Sequence, residues 1–231
     1  MRRLFVDNLH AGLVELDDAQ SRHARSALRL GPGDRIELIT PSGLLGTGAV
    51  ATTEPRVVVE VDTLAMPTTT PALLVASAVP KGDRADWLVE KLSEIGVVAW
   101  TPLRTARSVV HPDGDSKFDR WRRIAIEAAK QSKRVGVMRI DPLLSLDDLL
   151  ARLPAGGVVC LSTGPGATPL ADISAGGGLT LLVGPEGGWT EEELERMAAC
   201  GLTCAALGPT ILRVETAAVV AAGMMAAMTR P

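Results

Sequence analysis

Cysteine is scarce in this chain, with three residues in 231. The three, Cys160, Cys200 and Cys204, are an odd number without CxxC spacing, which excludes a fully paired disulfide framework. No histidine stands near them in sequence, so a zinc site built from Cys and His is disfavoured as well. We therefore expect reduced thiols in the protein core and no bound metal, as is typical of a cytoplasmic protein.

The chain also lacks a long uncharged apolar segment. Its longest run of low charge, TAAVVAAGMMAAM at 216–228, is too short and too rich in small residues to span a bilayer. The first residues, MRRLFVDNLH, are not followed by an apolar stretch, so we expect no secretory signal. These absences predict a cytoplasmic globular protein that does not contact membranes.

Neither of the common phosphate-binding loops is present. The sequence has no GxGxxG fingerprint and no glycine-rich loop that ends in Lys-Ser or Lys-Thr. A dinucleotide-dependent Rossmann enzyme and a P-loop nucleotidase are therefore disfavoured.

Charge is unevenly distributed, although the net charge is only −3. Residues 81–139 contain thirteen Lys and Arg against eight Asp and Glu, whereas residues 1–80 and 140–231 are acidic. A basic block within an acidic protein favours a local surface for an anionic partner, with nucleic acid as the first candidate. The alternative is a basic helix face that contacts only solvent, and charge alone does not decide between the two.

Two patterns of residues divide the chain. The first seventy residues contain short β-rich runs between turn residues, with one helix around DAQSRHARSALRL, which predicts a small β-barrel or sandwich. The sequence MPTTTP at 66–71 is typical of a linker. Beyond it, apolar runs such as LLVASAV and LTLLVGP alternate with helical patterns, which is typical of a parallel α/β sheet covered on both faces. We therefore predict domains at 1–70 and 71–231.

The glycine-rich sequence GPEGGW at 184–189 follows directly on the apolar run LTLLV. Ligands of open parallel sheets bind beyond the carboxyl ends of the strands, and glycines let the backbone approach a ligand closely. Thr190 and Glu193 have the spacing of a capping box for the next helix. Glu186 and the glutamates of that helix would repel a phosphate. The loop therefore predicts an uncharged or cationic ligand, with a purely structural turn as the alternative.

A second stretch, LGPTILRVETA at 207–217, leaves another predicted strand. It turns at Gly208 and then presents apolar residues before Arg213 and Glu215. Two glycine-containing loops at one edge of a sheet predict a single apolar pocket, in which Leu207, Ile211 and Leu212 flank a planar ring.

Together, LLVGPEGGWTEEELE and LGPTILRVETAA closely resemble the signature of the RsmE family, whose members methylate RNA of the small ribosomal subunit. Four further stretches resemble the other blocks of the family: PKGDRADWLVEKLSEIGV, TPLRTARS, RWRRIAIEAAKQSKR and RHARSALRLGPGD. Ala27 departs from the family pattern, which has a β-branched residue there, and Trp189 replaces the usual Phe. The resemblance covers essentially the whole chain, and the two carboxyl-terminal motifs are highly specific.

The resemblance implies a fold and a reaction. The fold is α/β, with a SPOUT methyltransferase domain (a trefoil-knotted, mostly parallel sheet) preceded by a small PUA-like β-barrel that binds RNA. The implied reaction uses S-adenosyl-L-methionine to methylate N3 of a uridine in 16S ribosomal RNA, and the implied assembly is a homodimer. This cofactor carries an ammonium and a sulfonium but no phosphate, which agrees with the acidic glycine loop.

Candidate site residues fall into three sets. Arg213 is the candidate cation for the uracil anion, and Glu215 either orients it or relays the proton, the alternative being a structural ion pair or a helix-start cap. The cofactor set is Leu161, Ser162, Thr163, Gly184, Pro185, Glu186, Gly187, Gly188, Leu207, Gly208, Ile211, Leu212, Arg213 and Thr216. The RNA set is Arg22, His23, Arg25, Arg29, Lys81, Arg84, Lys91, Arg104, Arg107 and Arg134, with a structural role as the alternative for His23 and a surface ion pair with Glu94 for Lys91.

Two other functions stay open from the sequence. One keeps the SPOUT fold but acts on another RNA site or another nucleoside atom. The other is a non-catalytic RNA-binding or ribosome-assembly factor with a vestigial pocket, which the intact glycines and the pair Arg213 and Glu215 disfavour.

Overall fold

The computed structural model describes residues 1–66, 72–112, 114–153, 157–164, 166–174 and 178–228. The predicted linker lies outside these residues, except for Met66. The chain divides into two compact units. The first consists of Met1–Thr68 and Ala129–Val137, and the second of Thr69–Ala128 and Met138–Pro231. The domain boundary at residue 70 stays a prediction, and no pattern in the sequence indicates that residues 129–137 join the first unit.

The first unit is built on a mainly antiparallel sheet. Its strands are β1 (Arg2–Phe5), β2 (Gly12–Glu15), β3 (Arg35–Ile39), β4 (Leu45–Thr52) and β5 (Val58–Ala65), in the order β1-β3-β4-β5-β2, and helix α1 spans Asp18–Ser26. Only the β1–β3 pair is parallel among the described strands of this sheet. Inward residues alternate along the strands, as Ile36 with Leu38 and Val59 with Val61 show. The predicted small β module is confirmed, although β1 and β2 were not predicted.

Gly48 tests the packing of this sheet, because it lies where the pairing of β4 with β5 shifts register. A Cβ atom at this position would lie 2.1 Å from the carbonyl oxygen of Glu60. We expect Gly48→Ala to displace the β4–β5 ladder and to lower the free energy of unfolding by about 3 kcal/mol. Gly31→Ala is the control, because nothing lies within 4 Å of its added Cβ. Denaturant melts that give the two variants equal stability would contradict this account.

The second unit is built on a parallel sheet. Its strands are β6 (Leu73–Ala78), β7 (Ala99–Arg104), β8 (Arg139–Ile140), β9 (Leu144–Ser145), β10 (Val158–Leu161), β11 (Thr168–Pro169), β12 (Leu179–Val183) and β13 (Thr203–Ala206). The helices are α2 (Arg84–Ile95), α3 (Asp115–Ser132), α4 (Leu146–Leu150), α5 (Glu191–Ala199) and α6 (Val214–Met228). The strand order is β11-β13-β10-β12-β6-β7-β8, with β9 also on β7, and the described pairs are parallel. The predicted α/β fold class is confirmed.

The core strands follow from their composition. Every residue of β10 and β12 is buried, as expected for strands that helices cover on both faces. Helix α2 ends at Ile95, and the next residue, Gly96, has a φ of 105°, in the left-handed region that favours glycine after a helix. The apolar runs in the sequence therefore predict these buried strands correctly.

The tryptophans do not share one environment. Trp100 and Trp121 are fully buried and meet edge to face, with ring centroids 5.0 Å apart. Trp189 is nearly buried, whereas Trp87 at the start of α2 is 42% exposed. Trp100, Trp121 and Trp189 therefore belong to the core, whereas Trp87 presents much of its ring at the surface.

The cysteines are free thiols in three different environments. Cys160 on β10 is buried, Cys204 on β13 is half-buried and Cys200 is exposed. Burial raises the pKa of the Cys160 thiol well above its usual range, so this group stays protonated. The prediction of core thiols is correct for Cys160 and wrong for Cys200, which follows the last residue of α5. Within the described ranges, no helix combines the length and the apolar character that a membrane span requires.

Candidate functional site

Three strand ends meet at one edge of the parallel sheet, because β13, β10 and β12 are neighbours there. The segments that leave these strands surround a cavity of about 360 Å³. Its walls are formed by residues 161–164, 183–189, 207–208, 210–212 and 214, together with Leu194, Ala205 and Ala217. The position beyond the carboxyl ends of parallel strands is the one that α/β folds use for ligands.

The glycine loop after β12 is held in a defined shape. The N–H of Gly188 donates to the carbonyl of Pro185 at 2.8 Å and closes a turn. Gly188 has a φ of 70°, which favours glycine. The ring N–H of Trp189 donates to the carbonyl of Leu161 at 2.9 Å, which ties the glycine loop to the end of β10. A Cβ atom on Gly184 would lie 2.8 Å from the Trp189 ring, so only glycine leaves room for this contact.

Helix α5 begins with the predicted capping box. The side chain of Thr190 accepts from the N–H of Glu193, and the Glu193 carboxylate accepts from the N–H of Thr190 at 2.9 Å. The second carboxylate oxygen of Glu193 accepts from the N–H of Ala106 at 2.7 Å. Glu193 is 1% exposed, and each of its carboxylate oxygens has a hydrogen-bond donor inside the protein. The capping prediction is confirmed, and the additional bond to Ala106 was not foreseen.

Arg107 contacts the same loop. Its Nη1 donates to the carbonyl of Gly187 at 2.7 Å and to that of Trp189 at 3.3 Å. The sequence predicts Arg107 as an RNA contact, whereas the structure gives its guanidinium two partners in the glycine loop.

The cavity wall has the electrostatic character of a site for a cationic or neutral ligand. Glu186 is an exposed acid in the wall, and among the described lining residues there is no Lys or Arg. A di- or triphosphate would therefore meet a carboxylate without a compensating cation in the wall.

Most of the predicted cofactor residues lie around this cavity. Arg213 and Thr216 do not line it. The predicted residues that do are Leu161, Ser162, Thr163, Gly184, Pro185, Glu186, Gly187, Gly188, Leu207, Gly208, Ile211 and Leu212. The wall also includes residues that the sequence did not indicate: Gly164, Val183, Trp189, Leu194, Ala205, Thr210, Val214 and Ala217. Several of these are immediate neighbours of predicted residues, so extending each motif by one position would have found them. The binding role of all these residues stays a prediction.

Arg213 and Glu215 have different surroundings. The Arg213 side chain is exposed, while its neighbours Leu212 and Val214 line the cavity. Glu215 is 5% exposed, and its Oε1 lies 3.3 Å from Nη1 of Arg84. Its Oε2 has no hydrogen-bond partner within the described part of the chain. The sequence suggests Arg213 as the partner of this carboxylate, but the structure pairs it with Arg84.

Some of the residues predicted to contact RNA are exposed, and others bind partners within the protein. Arg22, His23, Arg29, Lys81 and Arg104 are exposed. Arg25 donates to the carbonyls of Thr53 and Pro55 and pairs with Glu54. Lys91 pairs with Glu90 and Glu94, and these two hydrogen bonds raise its pKa. Burial lowers the pKa of Arg134. For Lys91 the structure therefore favours the ion pair that the sequence left as an alternative.

Known proteins similar to this chain were found by sequence and by structure. The family model of the RNA methyltransferase domain matches residues 68–226. The chain is 32% identical over 244 aligned residues to the ribosomal RNA small subunit methyltransferase E of Mycobacterium bovis. This alignment covers 97% of this chain and 91% of the relative. A crystal structure of the enzyme of that name from Neisseria gonorrhoeae, bound to S-adenosyl methionine, has a TM-score of 0.81 at 30% identity and covers 97% of this chain and 96% of its own. The crystal structure of a probable rRNA-methyltransferase from Porphyromonas gingivalis has a TM-score of 0.87 at 25% identity. The match covers 99% of this chain and 98% of that protein.

Proposed function

Because the chain belongs to the ribosomal RNA small subunit methyltransferase E family, we propose that it methylates N3 of a uridine in 16S ribosomal RNA with S-adenosyl-L-methionine. The observation that carries the proposal is the cavity that the segments after β10, β12 and β13 enclose. The Neisseria gonorrhoeae enzyme, which has nearly the same length and fold, binds this cofactor.

The residues of the cavity suit this cofactor. Leu207, Ile211 and Leu212 offer apolar surface for a flat purine ring, and Gly187 and Gly188 leave backbone groups accessible to its edge. Glu186 lies in the same wall and favours a ligand with positive charge. The cofactor supplies a methyl group on a sulfonium, and everything else that the reaction needs must come from the position and charge of protein groups.

Arg213 is the residue that we assign to the reacting base. The N3–H of a uridine is a weak acid, and its loss leaves negative charge on the two flanking carbonyl oxygens. A guanidinium directed at those oxygens favours the anion and therefore the attack on the methyl group. Arg213 is exposed next to two residues of the cavity wall, so it is accessible to a base that enters from solvent.

Glu215 is our candidate for the proton acceptor. Its Oε2 is buried and has no partner in the described residues, whereas Arg84 holds its other oxygen. A buried acceptor without a donor is costly, and a donor group of the substrate would satisfy it. We expect Glu215→Gln, which removes the basic oxygen and keeps the shape, to slow single-turnover methylation by about tenfold or more. A rate equal to wild type would exclude Glu215 as the base.

Basic residues of each unit supply the RNA contact in this proposal. Lys81 and Arg104 of the second unit are exposed, as are Arg22 and Arg29 of the first. Contacts between these side chains and phosphates would make binding salt-dependent without selecting a sequence. The target uridine must be unpaired or extruded to reach the cavity.

A homodimer completes the proposal. Helix α6 is dense in Ala, Val and Met, yet Val220 and Met228 on it are 40% and 47% exposed. The neighbouring helix α2, which packs on α6, adds the exposed Trp87. Exposed apolar side chains on two packed helices are typical of a surface that a second copy covers. Sedimentation velocity should give a dimer, and a monomer at micromolar concentration would contradict this part of the proposal. We place the reaction in the cytoplasm, where ribosomal RNA is found.

The reaction itself is tested by methyl transfer from cofactor labelled at the methyl group. Small ribosomal subunits and free 16S ribosomal RNA are the two substrates, and digestion to nucleosides followed by mass spectrometry identifies the product. We expect the label in 3-methyluridine. Label in another nucleoside would move the chain to another specificity, and no label on either substrate would favour a non-catalytic RNA-binding role.

A further inference from the structure

Arg107 lies in the segment that follows β7, and its charge predicts an RNA contact, but its hydrogen bonds lead to the glycine loop. Nη1 donates to the carbonyl oxygens of Gly187 and Trp189, at 2.7 and 3.3 Å. Both residues line the cavity, and Arg107 itself does not. The guanidinium therefore acts on the cavity wall through the backbone of the loop.

A second contact joins the same two segments independently of Arg107. The N–H of Ala106 donates to Oε1 of Glu193 at 2.7 Å, while Oε2 of that carboxylate accepts from the N–H of Thr190. Because Glu193 is 1% exposed, water competes poorly for these bonds. Residues 106 and 107 are thus connected to both ends of the stretch between Gly187 and Glu193.

The stem of Arg107 also packs against the loop. A Cβ atom on Gly187 would lie 3.3 Å from Cβ and from Cδ of Arg107, which is closer than ordinary side-chain contacts. Glycine at 187 therefore serves two purposes, since it opens the wall of the cavity and admits the arginine stem on which the loop rests.

We infer that Arg107 is a positioning residue for the cofactor: it holds the carbonyls of Gly187 and Trp189 and thereby keeps the glycine loop in the shape that binds the ligand. A loop with three glycines has many accessible conformations, and ordering it on binding would weaken the affinity. The contacts from residues 106 and 107 order it beforehand. The identity of the ligand in this inference rests on the proposed function.

Arg107→Ala tests the inference, with Arg122→Ala as the matched control. Arg122 is an exposed arginine on α3 that pairs with Asp119 and contacts neither the loop nor the cavity. We expect the dissociation constant of S-adenosylmethionine, measured by calorimetry, to rise about tenfold for Arg107→Ala and to stay at the wild-type value for the control. The KM for the cofactor should rise in proportion, with kcat at saturating cofactor within about twofold of wild type.

Two further measurements separate positioning from a general structural effect. Amides of residues 186–190 should exchange with deuterium faster in Arg107→Ala than in Arg122→Ala, and both variants should bind 16S ribosomal RNA as wild type does. Arg107→Lys should restore part of the cofactor affinity, because an ammonium can still donate to one carbonyl.

Other results would overturn the inference. If Arg107→Ala lost affinity for RNA and kept its affinity for the cofactor, Arg107 would be an RNA contact and not a positioning residue. Equal amide exchange in the two alanine variants would show that Arg107 does not order the loop. If the wild-type protein did not bind S-adenosylmethionine, the proposed function would fail, and the exchange data would still decide whether Arg107 orders the loop.

Discussion

Arg213→Ala is expected to lower the single-turnover rate of methylation by at least about 100-fold while the cofactor affinity changes little. The expectation follows from the charge that develops on the uracil oxygens when N3 loses its proton, and from the typical effect of removing one donor to such a charge. The Arg213 side chain is exposed and does not line the cavity, so its removal should not disturb the wall that holds the cofactor.

The measurement is a single-turnover assay with enzyme in excess over RNA, combined with calorimetry for the cofactor. Arg196→Ala is the control, because Arg196 is also an exposed arginine and its partner is Asp147 on α4. We expect wild-type rates for this variant. An unchanged rate for Arg213→Ala would remove the residue from the mechanism, whereas an equal loss of rate and cofactor affinity would reassign it to cofactor binding.

Gly184→Ala is expected to have the largest effect on the cavity. The added Cβ would lie 2.8 Å from Cε2 of Trp189 and 3.1 Å from two further ring atoms. Moving the ring aside would break the hydrogen bond of 2.9 Å that Nε1 of Trp189 donates to the carbonyl oxygen of Leu161. Trp189 and Leu161 both line the cavity, so either adjustment deforms the binding site.

We expect Gly184→Ala to weaken cofactor binding about 100-fold and to lower the free energy of unfolding by about 2 kcal/mol. Calorimetry and denaturant melts measure the two effects. Gly208→Ala is the control for stability, because Gly208 lines the same cavity but nothing lies within 4 Å of its added Cβ. Wild-type cofactor affinity in Gly184→Ala would show that the Trp189 contact is not part of the binding site.

The sequence predicted those parts of the fold whose cause is local. Strand β10 is apolar at every residue and β12 at every residue but Thr180, and the sequence predicts both as buried parallel strands. The capping box at Thr190 and the glycine end of α2 follow from short motifs with a defined geometry. The sequence does not predict strands β1 and β2, because a four-residue segment with a single buried side chain has little apolar pattern.

The contacts that define the site were beyond local reasoning. Arg107 bonds to a carbonyl 80 residues away, and Arg84 pairs with a carboxylate 131 residues away. Both arginines lie in the basic block, and charge alone predicted the same RNA role for them as for Lys81. Only the folded chain distinguishes an arginine that supports a loop from a lysine that is exposed.

The central claim is that the segments after β10, β12 and β13 together hold a cationic nucleoside without a phosphate. A crystal of the protein soaked with S-adenosylmethionine tests it most directly, with a second crystal soaked with ATP for comparison. The account predicts density for S-adenosylmethionine against Leu161, the glycine loop and Leu212, and none for ATP at that place. An empty cavity in the first crystal, or a triphosphate bound there in the second, would contradict it.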